Sequence, residues 1–118
     1  MTNIVLVDDH HLVRQGLRAL LEAESGFKVI AEGDTGLGVA ELVEQLKPDV
    51  LVIDLMMSGL NGLEVTRQIT LRKLNTCVII LSMHAEETYV LQALTNGAMG
   101  YVLKDAKASD LVEASTGD

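Results

Sequence analysis

The sequence predicts an α/β domain with a parallel sheet covered by helices on both faces, and three observations carry that prediction. Five short apolar runs lack the polar–apolar alternation of a half-solvated sheet. The segments between them carry apolar residues at helical spacing. The two kinds of segment alternate strictly along the chain, a pattern that specifies right-handed crossovers between parallel strands.

Three of the runs are strong: Ile4-Val5-Leu6-Val7, Val50-Leu51-Val52-Ile53 and Val78-Ile79-Ile80-Leu81. Two are weaker, residues 28–31 and Tyr101-Val102-Leu103. Charge flanks the 28–31 run, which places it at a sheet edge. The first helix shows Val13, Leu17, Leu20 and Leu21 on one stripe. The second shows Val39, Leu42, Val43 and Leu46, with Thr35 as its expected N-cap and Lys47-Pro48 as its end. A third helix is expected over 62–71. A fourth is expected over 86–96, with Val90, Ala93 and Leu94 inward and Gly97 as its stop. Ser109 would cap a short fifth helix.

A chain of 118 residues suits one domain, here 1–118, and can bury a core without disulfides. Aromatic residues are only 3%, so Leu, Val, Ile, Ala and Met must fill that core. The net charge of −8 repels phosphate backbones and argues against nucleic-acid binding by this chain alone. Cys77, the single cysteine, reads as a small buried hydrophobe, and its lack of a partner suits a reducing cytoplasm. No apolar stretch reaches the length of a membrane span. No repeat, linker or low-complexity tract interrupts the alternation. The fifth helix has about two turns, a marginal length, so the chain reads as cut from something longer.

In an open parallel sheet, ligands bind beyond the carboxyl ends of the strands. Asp8-Asp9 follow the first strand, Asp54 the third, Ser82 the fourth and Lys104 the fifth. Three carboxylates, a hydroxyl and an ammonium therefore converge on one edge. Two carboxylates at about 4 Å repel by roughly 4 kcal/mol at an effective dielectric of about 20. Such a group must take up a proton on one carboxylate, spread apart or bind a cation. Hard oxygen donors suit Mg²⁺. Asp54 can act as a nucleophile at phosphorus and form an acyl phosphate, with Lys104 and Ser82 binding oxygens of the transferred group. Taken singly, Asp8-Asp9 also read as an N-cap pair, Lys104 as a surface lysine and Ser82 as a loop serine. The chemistry rests on the set.

As a set, Val7-Asp8-Asp9-His10, Asp54-Leu55-Met56-Met57 with Gly62, Leu81-Ser82 and Gly100-Tyr101-Val102-Leu103-Lys104 resemble the response-regulator receivers of two-component signalling. The resemblance spans Ile4 to about Glu113. It implies a flavodoxin-like, doubly wound five-stranded sheet in the order 2-1-3-4-5. It implies Asp54 as phosphoacceptor, with Mg²⁺ held by Asp9, Asp54 and the backbone carbonyl of Met56, and by Asp8 through water. Ser82 and Tyr101 would form a switch pair biasing the surface of the fourth helix and fifth strand, and Lys104 the phosphate contact. The implied partners are a histidine kinase or phosphotransfer protein, with a phosphorylation-dependent homodimer also open. The implied activity is self-phosphotransfer and autodephosphorylation rather than turnover. The Asp8-Asp9-His10 and Lys104-Asp105-Ala106 wording resembles a subgroup carrying a LuxR-type helix-turn-helix output domain. That domain is absent from these residues, so DNA binding and transcriptional control would belong to a longer parent.

Two departures stand out: Ser58 and Asp105 occupy positions where the family often has proline. The Lys104–Asp105 bond is expected to be trans, because a cis bond without proline costs about 3–4 kcal/mol. Met56, Met83 and His84 lie near the phosphoryl site by position and are expected to set how fast water reaches an acyl phosphate. Three other readings compete. A haloacid-dehalogenase-type phosphatase needs an acid/base Asp where Met56 stands. A nucleotide-binding module needs a glycine-rich loop after the first strand. A receiver-like interaction domain that is never phosphorylated fits the fold but not the full acidic set.

Overall fold

In a computed structural model, described for residues 1–57, 59–82 and 87–103, five strands and four helices alternate. They are β1 (Thr2–Val7), α1 (His11–Glu22), β2 (Phe27–Gly33), α2 (Val39–Leu46), β3 (Val50–Asp54), α3 (Gly62–Leu71), β4 (Cys77–Ser82), α4 (Glu87–Thr95) and β5 (Gly100–Leu103). All pairings are parallel and the order is β2-β1-β3-β4-β5. This is the flavodoxin-like topology, with β2 at an edge as its flanking charge predicts. The expected fifth helix, Ser109 and the Lys104–Asp105 bond lie outside the described residues.

The sheet divides the core in two. Because side chains alternate along a strand, Val5, Val7, Leu51, Ile53, Val78 and Ile80 face one side. There they pack with Val39 and Val43 of α2, Val65 and Ile69 of α3, and Ala93 of α4. Ile4, Leu6, Val50, Val52, Ile79 and Leu81 face the other side, where Leu21 of α1 completes the cluster. The central strands thus bury both faces, which is why their runs carry no polar alternation.

The helices correct the expectation in detail. On α1, Leu21 is buried and Leu17 packs against the core, but Val13 and Leu20 are exposed. On α4, Ala93 is buried while Leu94 is exposed. Thr35 does not cap α2. Its hydroxyl accepts from Leu37 N at 3.3 Å, the turn consumes residues 36–38, and the N-cap is Gly38. Gly97 ends α4 as expected, with φ +104°. The α3 cap was not anticipated: the side chain of Asn61 accepts from Glu64 N at 2.9 Å.

Leu21 is the one fully buried residue of α1. Leu21→Ala is therefore expected to lower unfolding free energy by about 2–5 kcal/mol, read from urea melts. Cys77 is partly buried, and burial pushes its thiol pKa up. Its alkylation by iodoacetamide is expected to be slow in the folded chain and to accelerate on unfolding in urea.

Candidate functional site

The candidate site forms where β1 and β3, neighbours at the sheet centre, both end in acid. Val7 pairs with Ile53, so the register carried one residue further sets Asp8 beside Asp54. Both carboxylates are buried, at 0% and 3% exposure, and Asp9 lies at the more open rim. Asp8, Asp9, His10 and Asp54 each offer one ligand atom, and these atoms all lie within 4.8 Å of one another. Placing carboxylates this deep and this close is costly unless a cation or donors meet them.

Backbone geometry fixes the two deep carboxylates. Asp8 N donates to Gly33 O at 3.0 Å, tying the end of β1 to β2. Asp8 Oδ1 accepts from His10 N at 2.8 Å, closing a local turn. Asp8 and Asp9 therefore do not cap α1; its N-cap is His10, with no side-chain cap bond. Asp54 Oδ1 accepts from Met56 N at 3.3 Å. Leu55 N donates to Leu81 O at 2.8 Å, and Gly62 N donates to Leu55 O at 2.9 Å. These bonds tether the segment after Asp54 to β4 on one side and to the start of α3 on the other.

Of the other predicted residues, Ser82 is buried as the last residue of β4. Tyr101 is half-buried on β5 beside Ile80, and so on the sheet face that Ser82 shares by alternation. Met56 is 56% exposed just after Asp54. Lys104, Ser58, Met83 and His84 lie outside the described residues.

Two participants escaped the sequence reading. His10 Nδ1 stands 3.1 Å from Asp9 Oδ1 and 3.3 Å from Asp8 Oδ1. Its place directly after the acidic pair was the available signal. The second is Arg14, whose Nη1 donates to the carbonyl of Asp8 at 2.7 Å. Its position one turn into α1 gave no hint that it reaches back.

The donor set fits a hard divalent cation, since the three carboxylates supply oxygen ligands of the kind Mg²⁺ takes. Among the described residues, no helix is long and apolar enough to cross a membrane.

An open parallel sheet in the order 2-1-3-4-5 with three carboxylates gathered at its carboxyl edge defines a flavodoxin-like α/β module with an acidic site at its strand ends. The chain belongs to the response regulator receiver domain family, which matches residues 4–116. It is 43% identical over 111 residues to the transcriptional regulatory protein DegU of Brevibacillus brevis, covering 94% of this chain and 47% of that protein. It is 37% identical over 111 residues to the nitrate/nitrite response regulator protein NarL of Escherichia coli K12, covering 94% and 51%. Among solved structures, a DNA-binding response regulator of the LuxR family from Staphylococcus aureus superposes with a TM-score of 0.92 at 32% identity, covering 98% of this chain and 97% of that one. A LuxR-family two-component response regulator from Aurantimonas sp. SI85-9A1 gives a TM-score of 0.90 at 37% identity, covering 96% and 81%. The chain spans about half the length of the curated relatives it matches.

Proposed function

We propose that this receiver domain takes a phosphoryl group onto Asp54 from a histidine kinase or phosphotransfer protein and passes the change to an output domain in a longer protein. The observation that carries this reading is the convergence of Asp8, Asp9 and Asp54 within 4.8 Å at the carboxyl edge of the sheet. Asp9, Asp54 and the carbonyl of Met56 would hold Mg²⁺, with Asp8 acting through water. The bound ion supplies charge neutralisation at the transferring group.

The chain's own residues do the rest. A carboxylate oxygen of Asp54 attacks phosphorus, and the donor's leaving atom departs with the bonding pair, leaving an acyl phosphate on Asp54. Ser82 donates its hydroxyl to one phosphoryl oxygen and Lys104 binds another as a point charge. As Ser82 moves toward the phosphoryl group, Tyr101 turns inward. The surface of α4 and β5 is thereby biased between two states. DNA contact and transcriptional control belong to the output domain, in keeping with relatives named as transcriptional regulators. A phosphorylation-dependent homodimer is the second expected readout.

Acetyl phosphate or beryllofluoride with Mg²⁺, followed by intact mass and sizing, tests the reading. A single phosphoryl adduct that forms only with Mg²⁺ supports it. Sustained release of phosphate from excess phosphoester without a stable adduct would replace it with phosphatase chemistry.

A further inference from the structure

The face of α1 beside β2 carries a ladder of ion pairs that ends on the acidic pocket. Arg14 Nε donates to Glu32 Oε1 at 3.0 Å, and Arg14 Nη1 donates to the Asp8 carbonyl at 2.7 Å. Arg18 Nη1 also pairs with Glu32, and Arg18 Nε donates to Glu22 Oε1 at 3.1 Å. Glu22, through its bond to Arg18, has a lowered carboxyl pKa, and Arg18, through the same bond, a raised one. The Arg14 side chain is only 15% exposed. Of the ladder arginines, Arg14 is the one whose guanidinium donates to the loop bearing Asp8 and Asp9.

A partly buried guanidinium bonded to a backbone carbonyl is held by geometry, because its donors form a rigid fork. Here one prong fixes the Asp8–Asp9 peptide from outside the pocket, and the other anchors the fork to Glu32 on β2. The Asp8 amide is bonded to Gly33, the next residue of β2. The turn between β1 and α1 is thus clamped to β2 on both sides of Asp8, against the mutual repulsion of its carboxylates.

We infer that Arg14 is a positioning residue for the cation site: its fork holds the Asp8–Asp9 turn in the shape that presents both carboxylates to a divalent ion. This rests on the Mg²⁺ reading above. It also makes a prediction of distinctive sign. If Arg14 acted only through its charge, removing that charge would make the pocket more negative and tighten Mg²⁺ binding. If Arg14 acts by holding the turn, removing it weakens binding.

The test is isothermal titration of magnesium chloride into the native chain, Arg14→Met and Arg14→Lys, with a thermal melt of each in EDTA. Arg14→Met keeps much of the stem packing and removes the fork. Its dissociation constant is expected to rise about tenfold, the scale typical of residues that orient metal ligands. Arg14→Lys keeps the charge but gathers its donors on a single nitrogen, which cannot reproduce the fork spanning Asp8 and Glu32, so it is expected to recover only part of the loss. Binding by Arg14→Met that is as tight as native, or tighter, overturns the inference. Should Arg14→Met fail to melt cooperatively, Arg14→Lys carries the test, and native affinity in that variant overturns it. Absence of saturable Mg²⁺ binding by the native chain instead sinks the metal reading itself.

Discussion

Asp54→Asn is expected to abolish phosphoryl labelling while leaving the fold intact. With acetyl phosphate and Mg²⁺, the native chain should gain the mass of one phosphoryl group and the variant none, because an amide oxygen is a poor nucleophile and cannot form the acyl phosphate. The same substitution separates the chemistry from the electrostatics. Asp54 is 3% exposed and sits beside the fully buried Asp8. At an effective dielectric of about 20, two carboxylates about 4 Å apart repel by roughly 4 kcal/mol. That figure is a ceiling on the relief, since the other contacts of each carboxylate offset part of it. In EDTA the variant is therefore expected to melt higher than the native chain. With Mg²⁺ at about a hundred times its dissociation constant, the native chain should gain about 2.7 kcal/mol, and the variant much less. A variant that labels as fast as the native chain would move the phosphoacceptor elsewhere. A variant that melts lower in EDTA would mean that Asp54 is a net structural asset without the ion.

The parts of this molecule legible in sequence are those governed by strand ends. A strand buried on both faces announces itself as a continuous apolar run, and the residue that follows it must emerge at the sheet edge. That rule places Asp8, Asp9, Asp54 and Ser82 at the carboxyl edge from the sequence. Helix faces were less legible, because a stripe fixes a direction but not what lies opposite. Val13 and Leu20 share the α1 stripe with Leu21, yet only Leu21 is buried. The start of α2 was misplaced because Thr35 is a good cap in isolation, while the chain spends 36–38 in a turn and leaves capping to Gly38. Least legible were contacts across sequence distance. Nothing local in Arg14 or Glu32 says that they meet, or that the first also reaches the Asp8 carbonyl.

Gly62 shows how such a distant contact ties the fold to the site. It is the first residue of α3, where alanine would normally be the better helix former by about 1 kcal/mol. Yet a methyl group at Gly62 would lie 2.6 Å from the Asp54 carbonyl oxygen and 3.1 Å from Leu55 Cα. Those atoms are backbone and cannot swing away as a side-chain tip would. Gly62→Ala must push α3 from the end of β3, straining the Gly62 N to Leu55 O bond, or displace the Asp54–Leu55 peptide itself. The cost is expected on the order of 1–3 kcal/mol. The Asp54 carboxylate, the proposed phosphoacceptor, moves with its own peptide, and a shift of about 1 Å can cost on the order of a hundredfold in rate. Gly16, inside α1, supplies the control, because a methyl group there meets nothing within 4 Å. Gly16→Ala is expected to stabilise the chain by up to about 1 kcal/mol and leave labelling unchanged. Urea melts and acetyl-phosphate labelling rates on the two variants read both effects. Equal stability and equal labelling for Gly62→Ala would mean that α3 can retreat from β3 without moving Asp54, and that the close approach at Gly62 does not set the position of that carboxylate.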